Sequence, residues 1–292
     1  MSTAPHSVRS ADIPFADKDF QVIARIAKTS FGLHLEPSKK ALIQSRLTRR
    51  LRVLGLTDFG AYCALVDQGD AAERDVFISA LTTNVTHFYR EPHHFEQLEQ
   101  DILPKLIERA KARGRVRLWS AGCSTGQEPY SLAGSIFKLC PDVARHDLRI
   151  LATDIDSKVL EAAQGGSYRA DECRFPSDAW RTRVFGDRKA PEGILEVHPE
   201  LRKLITFRRL NLMDSWPMSG RFDAIMCRNV AIYFDKPTQA RLWQRFAEQM
   251  VPGGMLFIGH SERMHGMAES HFESVGITAY QLRPHPVDPS NS

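Results

Sequence analysis

Leu118-Trp-Ser-Ala-Gly-Cys-Ser-Thr-Gly-Gln-Glu-Pro-Tyr-Ser-Leu-Ala133 joins the end of an apolar strand, carrying Val116 and Leu118, to a turn between Gly122 and Gly126. A helix follows, with Glu128 and Pro129 in its first turn, where proline is tolerated because no intrahelical amide bond is lost. Such a turn lets backbone amides approach a ligand at the carboxyl edge of a parallel sheet. Two ligand classes fit, dinucleotides and S-adenosylmethionine. The dinucleotide fingerprint is G-x-G-x-x-G, and the residues here, Gly122-Cys-Ser-Thr-Gly126, depart from it. Glu128 also stands where a pyrophosphate would meet the helix N-terminus. A carboxylate there repels an anion and attracts a ligand bearing an ammonium and a sulfonium. That favours S-adenosylmethionine, with a plain glycine turn as the bland alternative.

Outward from this stretch the chain alternates strands and helices. Strands are predicted at residues 115–120, 148–153, 205–210, 222–227 and 255–259, with an edge strand at 277–282. Helices are predicted at 127–140, 157–164 and 238–250. The alternation implies an α/β fold with a parallel, doubly wound sheet. Residues 165–203 are too many for a plain connection. The short apolar run from Ile194 to Val197, preceded by Pro191 and Gly193, predicts a small antiparallel β-subdomain inserted at about 165–205.

Upstream, residues 12–80 read as helices without a strand. Phe20, Ile23, Ile26 and Ala27 recur at helical spacing, and Gly32 and Pro37 mark a stop and restart. The next helix, 38–54, carries Leu42, Ile43, Leu47, Leu51 and Leu54 on one face. Lys39, Lys40, Arg46, Arg49, Arg50 and Arg52 fill much of the rest. Two more helices are predicted at 58–67 and 71–81. The expected organisation is a helical N-terminal domain (1–80) with this basic helix, a linker contributing to the ligand site (81–100), the α/β domain that holds that site (101–283), and a polar, proline-rich tail (284–292) expected to be disordered.

Composition sets outer bounds. With 292 residues, 42% hydrophobic and 25% charged, the chain can build one large or two smaller cores. No apolar run approaches the roughly 18 residues of a membrane span, and the first fifteen residues lack the pattern of a secretory leader. Five cysteines (Cys63, Cys123, Cys140, Cys173, Cys227) are scattered and never form C-x-x-C. That usage fits a reducing cytoplasm and speaks against a structural zinc site.

Further candidates sit at predicted strand ends. Asp154, in Leu151-Ala-Thr-Asp-Ile-Asp156, can accept hydrogen bonds from ribose hydroxyls, leaving Asp156 or Ser157 to cap the next helix. Asn211 and Leu212 would meet an adenine with an acceptor and an apolar wall, or Asn211 closes a turn. Asn229 and Tyr233, after the strand 222–227, would point toward a transferred methyl group, with Val230, Ile232 and Phe234 as wall; a core role for Tyr233 stays open. The stretch 81–95 is dense in Thr, Asn, His and Arg. Its His93 and His94 lack acidic or Cys partners at ligand spacing, so a solvated helix start after Pro92 is preferred to a metal site.

NVTHFYRE (84–91), AGCSTGQEPYS (121–131), ATDID (152–156), CRNVAIYF (227–234) and GGMLFIGHSE (253–262) occur in this order. Together they resemble the CheR family of chemotaxis receptor methyltransferases over nearly the whole chain. The resemblance implies a helical N-terminal domain, a Rossmann-like S-adenosylmethionine-dependent domain and an inserted β-subdomain. It implies methyl transfer to glutamate γ-carboxylates of methyl-accepting chemotaxis receptors, with S-adenosylhomocysteine as product and no metal. Donor contacts then fall to Asn84, Thr86, Arg90, Glu128, Asp154, Asn211, Leu212, Asn229 and Val230, and transfer to Arg90 and Tyr233. The basic helix, through Arg46, Arg49, Arg50 and Arg52, would recognise the receptor's helical signalling domain. A cytoplasmic monomer is expected, with neither nucleic acid nor membrane insertion. Ala231 stands where a larger aliphatic is common and Tyr89 where Phe is common. The loop 186–193 (GDRKAPEG) lacks a paired-glycine turn, so docking of a receptor C-terminal peptide is not carried over. Two other readings are a nucleic-acid methyltransferase, disfavoured by the missing Pro-Pro-aromatic signature, and a non-catalytic donor-sensing module, disfavoured by the full set of polar motif positions.

Overall fold

The computed structural model describes residues 13–186, 191–266 and 268–284, and the chain divides into two compact units, one ending at Thr83 and one beginning at Asn84. The tail expected to be disordered falls, from residue 285 on, outside the described residues, as do residues 187–190 of the GDRKAPEG loop.

The first unit holds α1 (Asp17–Phe31), α2 (Lys40–Leu54), α3 (Phe59–Asp67) and α4 (Ala71–Leu81). Their ends follow local chemistry. Gly32 adopts a left-handed φ of 73° and returns its amide to the Lys28 carbonyl, closing α1. Pro37 to Lys39 form a single tight turn, so α2 begins two residues later than its apolar spacing predicts. Asp58 caps α3 by accepting the Ala61 amide at 2.8 Å, and Asp70 caps α4 through the Glu73 amide at 2.9 Å. Ile23, Ile26, Ile43, Leu47, Leu51, Tyr62 and Phe77 bury the apolar stripes.

The second unit begins with α5 (Pro92–Gln97), one π-helical turn (Leu98–Ile102) and α6 (Leu103–Lys111). Then come β1 (Val116–Ala121), α7 (Gln127–Leu139), β2 (Leu148–Asp154), α8 (Ser157–Gly165), β3 (Ser167–Arg169), α9 (Asp178–Phe185) and β4 (Ile194–Glu196). The chain continues through α10 (Pro199–Leu204), β5 (Ile205–Arg209), β6 (Phe222–Cys227), α11 (Lys236–Glu248), β7 (Met250–Ile258), β8 (Phe272–Gly276) and β9 (Ala279–Leu282). Seven strands form one mixed sheet in the order β5-β2-β1-β6-β7-β9-β8. Its first five strands run parallel, and β9 and β8 add an antiparallel hairpin.

The sheet confirms the Rossmann-like expectation and corrects its far edge. Residues 272–276 form an edge strand that carries no strand signal in sequence, because FESVG buries only Phe272 and shows no apolar alternation. β7 starts at Met250, earlier than predicted, since a register shift lets Phe222 pair with Met250 and carries Pro252, Gly253 and Gly254 through the strand. The insertion contains the expected antiparallel pair, β3 with β4. It also contains α9, which packs on α7. Tyr168, in β3, donates its hydroxyl to the Thr125 carbonyl at 2.7 Å and so fastens the insertion to the glycine turn.

In-register pairing of Ala121 with Thr153, and of Ser120 with Met226, aligns the carboxyl ends of β1, β2 and β6. Strand order reverses at β1, which opens a crevice at that edge. Ile225 lies at the centre of β6 and is fully buried. Ile225→Ala should lower unfolding free energy by about 2–5 kcal/mol, read by urea denaturation. A loss near zero would show that the sheet's centre does not limit stability.

Candidate functional site

The turn after β1 is built from three left-handed residues, Gly122 (φ 88°), Ser124 (φ 50°) and Gly126 (φ 94°). Gly122 has no room for a side chain: a Cβ there would lie 2.3 Å from Val230 Cγ2. The amides of Gly122 and Cys123 reach the Thr153 carbonyl at 2.8 and 2.9 Å, so the turn is tied to the end of β2. Asp154 completes the tie. Its Oδ2 accepts the Ser124 amide at 2.8 Å and its Oδ1 the Asp156 amide at 3.1 Å. Burial raises the Asp154 pKa, and these amides oppose the rise. Asp156 caps α8 through the Lys158 amide, as its position predicts, and accepts Asn84 Nδ2 at 3.1 Å. The Asn84 carbonyl in turn accepts Ser124 Oγ at 2.9 Å.

Beside this turn lies a buried ionic cluster. Glu128, in the first turn of α7, accepts Ser120 Oγ at 2.6 Å on one oxygen and Arg228 Nε at 2.8 Å on the other. Arg228 follows β6 and is 6% exposed. Its Nη1 donates to the Arg90 carbonyl at 2.6 Å and to His94 Nδ1 at 3.1 Å, and lies 3.6 Å from Glu91. The pairing changes the electrostatic argument drawn from sequence, because Glu128 meets its counter-charge inside the protein and is not a bare negative charge facing the crevice. His94 is a second correction. α5 does begin at Pro92, yet His94 is fully buried. Its Nε2 lies 2.9 Å from the Ile277 carbonyl and 3.0 Å from Thr278 Oγ1. With Arg228 donating to Nδ1, the neutral Nε2–H tautomer satisfies both ends of the ring. Burial, assisted by Arg228, pushes its pKa down to about 4.

Arg90 is half-buried and bracketed by two left-handed non-glycine residues, Tyr89 (φ 51°) and Glu91 (φ 57°). Such backbone persists only where the surroundings hold it. Ser131 Oγ accepts the Tyr89 amide at 2.8 Å, while the Glu91 carboxylate takes both the amide and Nδ1 of His260 at 3.0 and 2.9 Å. Arg90 Nη1 donates to the Val85 carbonyl at 3.0 Å. Thr86, in the same loop, is half-buried. Across the crevice edge, Asn229 (φ 59°) begins the loop after β6, and half-buried Tyr233 ends its tight turn, Ala231–Tyr233. Asn211 Oδ1 accepts the Met213 amide at 3.0 Å, closing a turn as its alternative reading held. Leu212 is buried, and the Leu210 amide reaches the Asp154 carbonyl at 2.9 Å, which brings this turn beside the end of β2.

Direct contacts therefore connect Asn84 with Asp156 and the glycine turn, Val230 with Gly122, and Glu128 with Arg90 through Arg228. The arginines of α2 lie in the first unit. Arg46 donates to the carbonyls of Ala80 and Thr82 and to Thr83 Oγ1, and Arg50 forks onto the buried Glu73 carboxylate. Arg49 and Arg52 are exposed, and their side chains make no hydrogen bond or ion pair among the described residues.

Arg228, Glu91 and Glu262 join the site without being marked as candidates by their sequence patterns. The available signal was charge: Arg228 directly follows six buried strand residues, a place where an arginine has to find partners. The thiols of Cys123 and Cys227 are buried and held in the neutral form. Burial, with nearby carboxylates, pushes Cys123 and Cys227 well above the ordinary thiol range. At the opposite edge of the sheet Cys140, Asp142 and His146 bring ligand atoms within 4.8 Å of one another. The Cys140 thiol donates to Asp142 at 3.2 Å and is pushed up to about 11, chiefly by burial.

Comparison with known proteins matches residues 84–281 to the CheR methyltransferase SAM binding domain and residues 18–82 to the CheR methyltransferase all-alpha domain. A probable chemotaxis protein methyltransferase of Rhizobium etli is 48% identical over 252 residues, covering 86% of this chain and 94% of the relative. The chemotaxis protein methyltransferase of Klebsiella aerogenes is 41% identical over 274 residues, covering 92% and 91%. That of Escherichia coli is 39% identical over 274 residues, covering 92% of each.

His94 carries a pH signature. Unfolded, it titrates near its ordinary 6.5; folded, only near 4. As pH falls between these values the unfolded chain takes up the proton first, and stability is lost. His94→Gln should flatten the fall in urea-unfolding free energy between pH 7 and 4 by on the order of 2–3 kcal/mol. A slope equal to wild type would show that His94 is not held neutral.

Proposed function

The chain belongs to the CheR methyltransferase family, and from that premise we propose that it transfers a methyl group from S-adenosylmethionine to glutamate side chains of methyl-accepting chemotaxis receptors. The product would be a glutamate methyl ester. The observation that carries the acceptor reading is Arg90. It is half-buried at the crevice, and among the described residues only its Nη1 has a protein partner. The rest of the guanidinium is a fork suited to a carboxylate.

The residues at the crevice fit the donor. Val230 packs against the turn at Gly122 and can serve as wall, and the buried Asp154 carboxylate keeps acceptor capacity for ribose hydroxyls. Asn211 and Leu212 would meet the adenine. Asn84, Thr86, Arg90, Glu128, Asn229 and Val230 would line the remainder. Bound there, the donor supplies an electrophilic methyl group on a sulfonium. A glutamate acceptor, with a reference pKa of about 4.3, is already ionised at neutral pH and needs no general base. Arg90 would orient it by charge-assisted hydrogen bonds, and the Tyr233 hydroxyl would donate a further bond. The protein's work is then alignment and exclusion of water, for which no metal is required.

No helix among the described residues is long and apolar enough to cross a membrane. Action from the cytoplasm, as a monomer, on the receptor's helical signalling domain is part of the same proposal and rests on the family membership. Arg49 and Arg52 are the α2 arginines free to meet acidic receptor surface, whereas Arg46 and Arg50 hold α4.

Incubation with tritiated donor and receptor-bearing membranes, followed by base, tests the reaction. Label should leave as volatile methanol, and base-stable label would overturn the ester reading. At saturating donor, Arg90→Ala should lower turnover by roughly tenfold or more, the loss expected for a bond to a charged group. Tyr233→Phe should lower it less. Wild-type rates in both would remove them from the reaction. Arg49→Glu with Arg52→Glu should raise the Michaelis constant for receptor, most at low salt, and leave donor affinity unchanged. Saturation like wild type at low salt would make this face merely solvated.

A further inference from the structure

Glu262 lies four residues beyond the end of β7, is 3% exposed, and has no ion-pair partner among the described residues. A buried carboxylate without a cation needs several hydrogen-bond donors. Glu262 draws them from the backbone: the amides of Asn229 at 3.1 Å, Ile232 at 3.2 Å, and Gly259. Burial pushes its pKa up, and these amides, with that of Ala231, pull the other way.

The amides converge because of local backbone shape. Asn229 is left-handed, and the tight turn Ala231–Tyr233 follows, so successive N–H groups face one point and form an anion-binding concavity. Gly259 lets the loop come close, since a Cβ there would lie 2.7 Å from the Asn229 nitrogen. Glu262 therefore fills the loop from within. Its neighbour His260 reaches the other reactive segment through Glu91, the residue after Arg90.

We propose that Glu262 is a positioning residue, whose carboxylate holds the Asn229–Tyr233 loop in the conformation that presents Asn229 and Val230 to the donor and Tyr233 to the acceptor. This rests on the functional reading above. Glutamate suits the task because both oxygens accept. Glutamine would turn an NH2 toward amides that also donate, and aspartate would keep the charge on a shorter arm.

The test uses the full chain with Glu262→Gln and Glu262→Asp. Three quantities are measured: hydrogen exchange of individual amides, calorimetric affinity for S-adenosylhomocysteine, and turnover at saturating donor. Glu262→Gln should speed exchange at Asn229 and Ile232 while β6 and β7 stay protected as in wild type. Product affinity and turnover should each fall roughly tenfold or more. Glu262→Asp should recover part of both. Wild-type exchange at these two amides in Glu262→Gln would overturn the proposal, as would loss of protection across the whole sheet, which marks a purely structural role. If wild type leaves no base-labile label on receptor membranes, the receptor reading fails, and exchange together with product affinity still decides the role of Glu262.

Discussion

A guanidinium buried at the end of a central strand must find counter-charge and acceptors within a few ångströms, because removing it from water costs several kcal/mol. Arg228 is in that position. Its partners come from separate parts of the second unit: Glu128 from α7, the Arg90 carbonyl and Glu91 from the loop before α5, and His94 from α5 itself. Satisfying one buried cation thus fixes these three pieces of chain at the same sheet edge. His94 then passes the constraint to the turn between β8 and β9 through Ile277 and Thr278. The antiparallel hairpin is accordingly tied to the crevice as well as to the edge of β7.

The anionic counterpart works differently. Asp154 and Glu262 are both buried, and both are held by backbone amides. An amide cannot rotate away as a side chain can, so a carboxylate bound this way dictates the path of the chain around it. One such carboxylate shapes the turn after β1 and the other the loop after β6. These are the two segments that face each other across the crevice.

What the sequence made legible follows from the range of the forces involved. Strands β1, β2 and β6 are legible to within a residue or two because near-continuous burial writes apolar runs, and β5 because buried Ile205 and Phe207 alternate with exposed residues. The five motifs gave away the family, since each combines turn residues and polar residues in a fixed order. Illegible were features set by contacts far apart in the chain. His94 looks like a polar helix start until Thr278, 184 residues on, supplies its partner. The α2 arginines look equivalent along their helix, and only the position of α4 separates Arg46 and Arg50 from Arg49 and Arg52. β8 was invisible because an edge strand with one buried residue needs no apolar pattern.

The 2.3 Å approach between a side chain at position 122 and Val230 Cγ2 has a consequence for how such a protein can change. Two positions 108 residues apart in sequence (122 and 230) share one volume. A side chain at 122 is barred both by this approach and by the left-handed φ of 88°, glycine cannot shrink to admit a larger residue at 230, and shrinking Val230 alone opens a void against the turn. The two loops that meet there cannot drift independently through neutral substitution. They form a single inherited unit, and a chimera that takes the first loop from one homologue and the second from another must also carry a matched pair at these two positions.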